Sequence, residues 1–82
     1  MEFEWDEAKD SENRNKHGFD FTYAIRIFGG RINQFLDPRP WGERRVVATG
    51  RVDGRFITVV YTHRNGRIRI ISARPARRSE RF

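Results

Sequence analysis

Between Arg44 and Arg74 the chain alternates apolar and polar residues in three runs, RRVVATGRV, RFITVVYTHR and RIRIISAR, separated by Asp53-Gly54 and Asn65-Gly66. A period of two marks half-buried strands. Both dipeptides suit two-residue type I′ hairpins. Upstream the period changes. Phe21, Ala24, Ile25 and Phe28 recur at helical spacing, with Asp20 placed to cap the start and Gly29-Gly30 to end the helix. Before that stripe, Asp6 occupies an N-cap position, Glu7 suits a first turn, and Gly18 supplies a left-handed cap after His17. The body of this earlier helix, EAKDSENRNKH, is nearly all polar, so it is expected to lie exposed or to await a partner.

Phe3–Trp5 reads as a brief strand, residues 31–37 as extended, and PRPWG at 38–42 as a loop. After Pro75 the tail ARRSERF has room for a short helix, because proline is tolerated in a first turn. The predicted order is β-α-α-β-β-β with that optional C-terminal helix. It describes an α+β fold with an antiparallel sheet, a single domain over residues 1–82.

Two-residue hairpins fix which residues face each other. Asp53-Gly54 pairs Arg51 with Phe56, Thr49 with Thr58, Val47 with Val60 and Arg45 with Thr62. Asn65-Gly66 pairs Arg64 with Arg67, Thr62 with Arg69 and Val60 with Ile71. One face then carries Val46, Ala48, Val52, Ile57, Val59, Tyr61, Ile68 and Ile70, which the helix stripe should cover. The other, away from the helices, carries Arg45, Arg51, Arg64, Arg67 and Arg69 among Thr49, Thr58 and Thr62, around Val47, Phe56, Val60 and Ile71. Like charges directly opposite, as at Arg64 and Arg67, destabilise a hairpin by about 0.2–1 kcal/mol. Bound anions offset that repulsion, so a phosphate-binding surface accounts for the pattern better than a passive basic edge does.

Composition sharpens this reading. The 82 residues hold 17 basic and 11 acidic side chains, a net charge of +6. From Arg44 onward every basic residue is arginine, opposed only by Asp53 and Glu80. Arginine favours planar, bidentate contact with phosphate or carboxylate, so nucleic acid or an acidic protein is the expected partner. The absence of cysteine excludes a disulfide framework and a thiolate site. Two histidines do not make a dedicated metal cage, and no metal or cofactor is expected. No apolar run approaches the ~18 residues of a membrane span, and the acidic start MEFEWDEAKD is not signal-like; a cytoplasmic location without membrane association is expected.

Arginine does not abstract protons at neutral pH; its role in catalysis would be to stabilise charge on a phosphate. Cleaving RNA also needs a base for the 2′-hydroxyl and an acid for the leaving oxygen. Lys16, His17, Glu43 and His63 are the candidates. His63 falls on the helix-covered face, which favours a structural role. His17 either complements the helix dipole or moves protons, and Glu43 either does so or pairs locally with Arg44 and Arg45. Trp41 either stacks on a base or packs on the sheet edge. Arg74, Arg77 and Arg78 either extend the basic surface or solvate the tail.

Taken together, WDEAK (Trp5 to Lys9), Asn13, KHG (Lys16 to Gly18), Phe21, GERR (Gly42 to Arg45), VVYTHR (Val59 to Arg64) and RIRIISAR (Arg67 to Arg74) resemble the BrnT toxins. The resemblance covers essentially the whole chain. It implies a RelE-like fold and a metal-independent endoribonuclease that arrests translation in a bacterium, as the toxin of a type II toxin–antitoxin system. It also implies a BrnA-like antitoxin, which contacts operator DNA so that this chain meets that DNA only indirectly. The family's recurrent basic residues fall on Lys16, Arg45, Arg64, Arg69 and Arg74. The expected catalytic set is Lys16, His17, Glu43, Arg45, Arg64 and Arg69, with Arg51, Arg67, Arg74 and Trp41 contacting RNA. The alternative is a non-catalytic module that binds RNA or protein through the same basic face. Five arginines on single-stranded phosphates would give a log–log salt slope of roughly −3.5. This sequence departs from the family in its more polar first helix, in Gly29-Gly30 and Asn33-Gln34-Phe35 where a more acidic loop is expected, and in stopping at Phe82 before a longer C-terminal helix.

Overall fold

The computed structural model describes residues 1–82. In chain order the elements are β1 (Phe3–Trp5), α1 (Glu7–His17), α2 (Phe21–Ala24), a 3₁₀ segment (Ile25–Gly29), β2 (Asn33–Leu36), β3 (Val46–Val52), β4 (Arg55–Arg64), β5 (Arg67–Pro75) and a 3₁₀ turn (Arg78–Glu80). The strands form one sheet in the order β1-β5-β4-β3-β2. It is mixed rather than antiparallel. β1 enters the edge parallel to β5, pairing Phe3 with Ile68, Glu4 with Arg69 and Trp5 with Ile70. At the opposite edge the extended segment becomes a fifth strand, β2, antiparallel to β3.

Both hairpins turn where expected, with Asp53, Gly54, Asn65 and Gly66 all at positive φ, as type I′ geometry requires. The β3–β4 register is the predicted one, including Arg51 with Phe56, Thr49 with Thr58 and Val47 with Val60. β4 and β5 begin as predicted, at Arg64 with Arg67 and Thr62 with Arg69, but a bulge then intervenes. Tyr61 pairs with Ile70 and Val60 with Ser72, so Ile71 has no partner and the expected Val60–Ile71 pair does not form. The extra residue reverses the pleat beyond it. Ala73 therefore turns into the core, while Arg74 pairs with Thr58 on the arginine face.

The core lies between the sheet and the α2–3₁₀ segment. Phe21, Ala24 and Ile27 are fully buried, whereas Ile25 and Phe28 are half-buried. Three residues per turn explain the difference from the predicted stripe: in a 3₁₀ segment positions i and i+3 eclipse, so Ile27 follows Ala24 inward. Close approach is made possible by Gly50, where a Cβ would sit 2.8 Å from Ile27 Cβ. Ala48, Ile57, Val59, Ile68 and Ile70 complete the core from the sheet.

The polar helix α1 is capped by Asp6, whose side chain accepts from the Ala8 and Lys9 amides, and by Gly18 at φ 81°. β1 pairs only with the first part of β5, leaving the second part of that edge to α1. There the buried Asn13 accepts from the Ala73 amide (3.4 Å) and donates to the Phe19 carbonyl (3.0 Å). The tail forms no α-helix. Pro75 ends β5 opposite Ile57, and the Arg78–Glu80 turn carries Glu80 onto the arginine face. Phe82 then packs edge-on against Phe56 at 5.4 Å.

Candidate functional site

Docking α1 on the bulged edge of β5 opens a cleft of about 470 Å³. One wall is the outer side of α1, with Lys9, Glu12, Lys16 and His17. The other is the arginine face, with Val60, Ser72, Arg45 and Arg74, roofed by Asp37, Arg39 and Trp41 from the 37–45 loop. The arginine face is therefore not wholly remote from the helices, because α1 reaches round the sheet edge to share it.

His17 is half-buried at the C-terminal end of α1, stacked on Phe19 at 6.1 Å. Its desolvation, reinforced by the charges of Lys16 and Arg74, holds its pKa below the ordinary histidine value. These influences act against the helix dipole, which favours the protonated ring. The shift favours the neutral ring at neutral pH.

Arg74 is gripped by Glu80, its Nη1 donating at 2.6 Å and its Nη2 at 2.9 Å. Glu80 also accepts from the Thr58 hydroxyl (3.1 Å) and the Arg77 amide (2.7 Å). Chiefly through the Arg74 hydrogen bonds, its pKa is pulled down to about 2. Arg45 is held differently. Its Nε donates to Glu43 Oε1 at 3.3 Å, while its two terminal nitrogens engage no protein acceptor. With a side chain 21% exposed and lining the cleft, Arg45 presents an open guanidinium fork.

The remaining expected residues are placed elsewhere. Glu43 bridges Arg45 and Arg64 (3.7 Å) and does not line the cleft. Arg69 donates to Glu4 at 2.7 Å across the β5–β1 ladder. Arg67 lies 3.7 Å from Glu2. Arg51 stacks on Phe56 with its Cζ 4.5 Å from the ring centroid. His63 is exposed, edge-on to Tyr61 at 5.6 Å. The apolar centre of the face is also less open than its sequence suggested, since Val47, Thr49 and Thr58 are buried and Phe56 is covered by Phe82.

Lys16, His17, Trp41, Arg45 and Arg74 are therefore brought together, and Glu43, Arg51, Arg64, Arg67 and Arg69 lie outside the cleft. Among the residues that shape it without an assigned part in the sequence reading are Asn13, Asp37, Lys9 and Glu80. For Lys9 the helical spacing to Lys16 was a usable signal (i, i+7); Asn13 and Glu80 each reach a partner in a distant strand, Ala73 and Thr58, whereas Asp37 meets Arg39 and Trp41 within its own loop. No group of three His, Cys, Asp or Glu side chains is placed to share a metal ion. The cleft's ionisable lining is five cations, two carboxylates (Glu12 and the Asp37 bound to Arg39) and one imidazole. No helix is long and apolar enough to cross a membrane.

A search of curated proteins returns no match. A family model described as the ribonuclease toxin, BrnT, of type II toxin–antitoxin systems matches residues 5–80. That span contains the whole cleft, and the family implies an RNA substrate and an antitoxin partner for it. The chain belongs to the BrnT family of type II toxin–antitoxin ribonuclease toxins.

Proposed function

We propose that the cleft is the catalytic site of a metal-independent endoribonuclease with a RelE-like fold, which arrests translation until a BrnA-like antitoxin covers it. The observation that carries this reading is the convergence of a neutral imidazole, His17, with Lys16, Arg45 and Arg74 from three separate elements. In the proposed reaction His17 takes the proton of a 2′-hydroxyl as that oxygen attacks the adjacent phosphorus. The bond from phosphorus to the 5′-oxygen breaks, and the Lys16 ammonium protonates the departing oxygen. The products are a 2′,3′-cyclic phosphate and a 5′-hydroxyl, so atoms and protons balance. Arg45 and Arg74 stabilise the extra negative charge on phosphorus in the transition state.

Arg64, Arg67 and Arg69 take no direct part in this reading, each being set against an acid outside the cleft. Glu43 orients Arg45 and Arg64 rather than moving protons. The experiment is cleavage of single-stranded RNA by purified protein in EDTA. His17→Ala should reduce the rate by about 10²-fold or more, the usual contribution of a general base, while the variant still binds RNA. The acid limb of the wild-type pH–rate profile should lie below pH 6.5, because the depressed pKa of His17 leaves the ring unprotonated above it. Binding without cleavage in the wild type would instead favour a non-catalytic RNA-binding module.

A further inference from the structure

We propose that Trp41, oriented by Asp37, is a positioning residue that aims the Arg45 guanidinium into the cleft, rather than primarily a platform for an RNA base. The inference rests on the reading of this cleft as an RNA site and assigns a task to the loop above it.

The loop of residues 37–45 is closed on itself. The Asp37 amide donates to the Arg45 carbonyl at 2.8 Å, joining its two ends. The Asp37 carboxylate is nearly sealed, its side chain only 4% exposed. Inside, it accepts from Arg39 Nη2 (2.7 Å), Arg39 Nε (3.0 Å) and the Arg39 amide (3.1 Å). It also accepts from Trp41 Nε1 at 2.9 Å. The Arg39 and Trp41 hydrogen bonds hold its carboxyl well below the usual carboxylate range. Pro38 and Pro40 restrict the backbone between these contacts.

An indole fixed in this way has a defined ring plane, and two cations use it. The Cζ of Arg45 lies 4.1 Å from the ring centroid and that of Arg39 lies 4.7 Å away. Two guanidiniums sharing one ring repel each other, and the Asp37 charge beside Arg39 offsets that repulsion. A long arginine side chain free in solvent would sample many rotamers, and ordering it would weaken any contact it makes. Here cation–π attraction holds the guanidinium and Glu43 takes its Nε. The two terminal nitrogens are left for a phosphate. Arg74, by comparison, has both terminal nitrogens committed to Glu80.

A double-mutant cycle separates positioning from base stacking. Single-turnover cleavage of a single-stranded RNA is measured for the wild type, Trp41→Ala, Arg45→Ala and the double variant. Trp41→Ala should lower the rate by about tenfold, short of the ~100-fold that a 1 Å misplacement can cost. In the Arg45→Ala background the same change should cost almost nothing, because Trp41 acts through the side chain already removed. Trp41→Phe, which keeps a ring under the guanidinium, should restore most of the rate. Asp37→Asn should fall between the wild type and Trp41→Ala. By NMR the Arg45 Nε proton should lose its ring-current shift in Trp41→Ala, a change that general loosening of the fold would not confine to one side chain. Full additivity of the two alanine substitutions would overturn the positioning role while leaving the RNA site intact. Wild-type activity in Arg45→Ala would overturn the reading of the cleft itself. If Trp41→Ala does not fold, Asp37→Asn is paired with Arg45→Ala in the same cycle, with the same criterion.

Discussion

In the proposed site Glu80 both supports the fold and competes with a phosphate for Arg74. Its carboxylate satisfies Arg74, Thr58 and the Arg77 amide at once, and its pKa falls from 4.5 to about 2. A folded-state pKa below the unfolded value means that the stabilisation is present above the unfolded pKa and is lost as pH falls through the folded one. The loss should therefore run from about pH 5 to about pH 2, and amount to something on the order of 2–3 kcal/mol for this largely buried group. Glu80→Gln should lower the melting temperature at pH 7 and flatten the acid limb of the stability curve. Glutamine still accepts from Thr58 and the Arg77 amide but no longer holds Arg74 as an ion pair. RNA affinity should thus rise in the variant whose stability falls. A melting temperature unchanged between pH 7 and pH 3 in the wild type would contradict the linkage.

Among the elements, the bulge in β5 and the helix α1 build the cleft together. Without the extra residue at Ile71 the pleat would carry Ala73 to the arginine face and Arg74 to the core side. With it, Arg74 faces the cleft and the Ala73 amide remains for Asn13. Asn13 uses one end of its amide for β5 and the other for Phe19, so it needs both an acceptor and a donor. Asn13→Asp keeps the acceptor, loses the donor and buries a charge. It should cost roughly 1–3 kcal/mol in denaturant unfolding, and it should slow RNA cleavage by letting Lys16 and His17 drift from Arg74. A variant as stable and as active as the wild type would remove Asn13 from the architecture of the site. This level also shows where sequence reasoning succeeds. Asp53-Gly54 and Asn65-Gly66 dictate their turns locally, so the core face and the early register were legible. Nothing within RIRIISAR marks Ile71 as surplus; the bulge shows only in how β5 meets β4 and α1. The Asp37 network escaped although it is local, since an aspartate before proline reads as an ordinary turn residue until Trp41 and Arg39 fold back on it. The acids that meet Arg69 and Arg67 come from the N-terminal strand region, more than sixty positions away in the chain.

For the whole molecule, a charge of +6 overstates the field that the proposed site would offer an RNA strand. Arg64 and Arg45 share Glu43, Arg67 and Arg69 face Glu2 and Glu4, and Arg39 is taken by Asp37. The cations left to contact phosphates at the cleft are Lys9 and Lys16, which have no carboxylate partner, the open fork of Arg45, and Arg74 in competition with Glu80. Three to four phosphate contacts on a single strand correspond to a log–log salt slope of about −2 to −3. That is shallower than the roughly −3.5 expected when five sheet arginines bind independently. Anisotropy titrations of a short single-stranded RNA between about 50 and 200 mM salt resolve the difference, since affinity over that range should change by a factor of about 15–60. Lys16→Ala should make the slope shallower by about 0.7, one contact's worth, whereas Arg67→Ala, already set against Glu2 at the sheet's far flank, should leave it unchanged. The reverse result, with Arg67 controlling the slope and Lys16 silent, would place the strand on the open hairpin rather than between α1 and the bulge, and the cleft would then have no claim on the substrate.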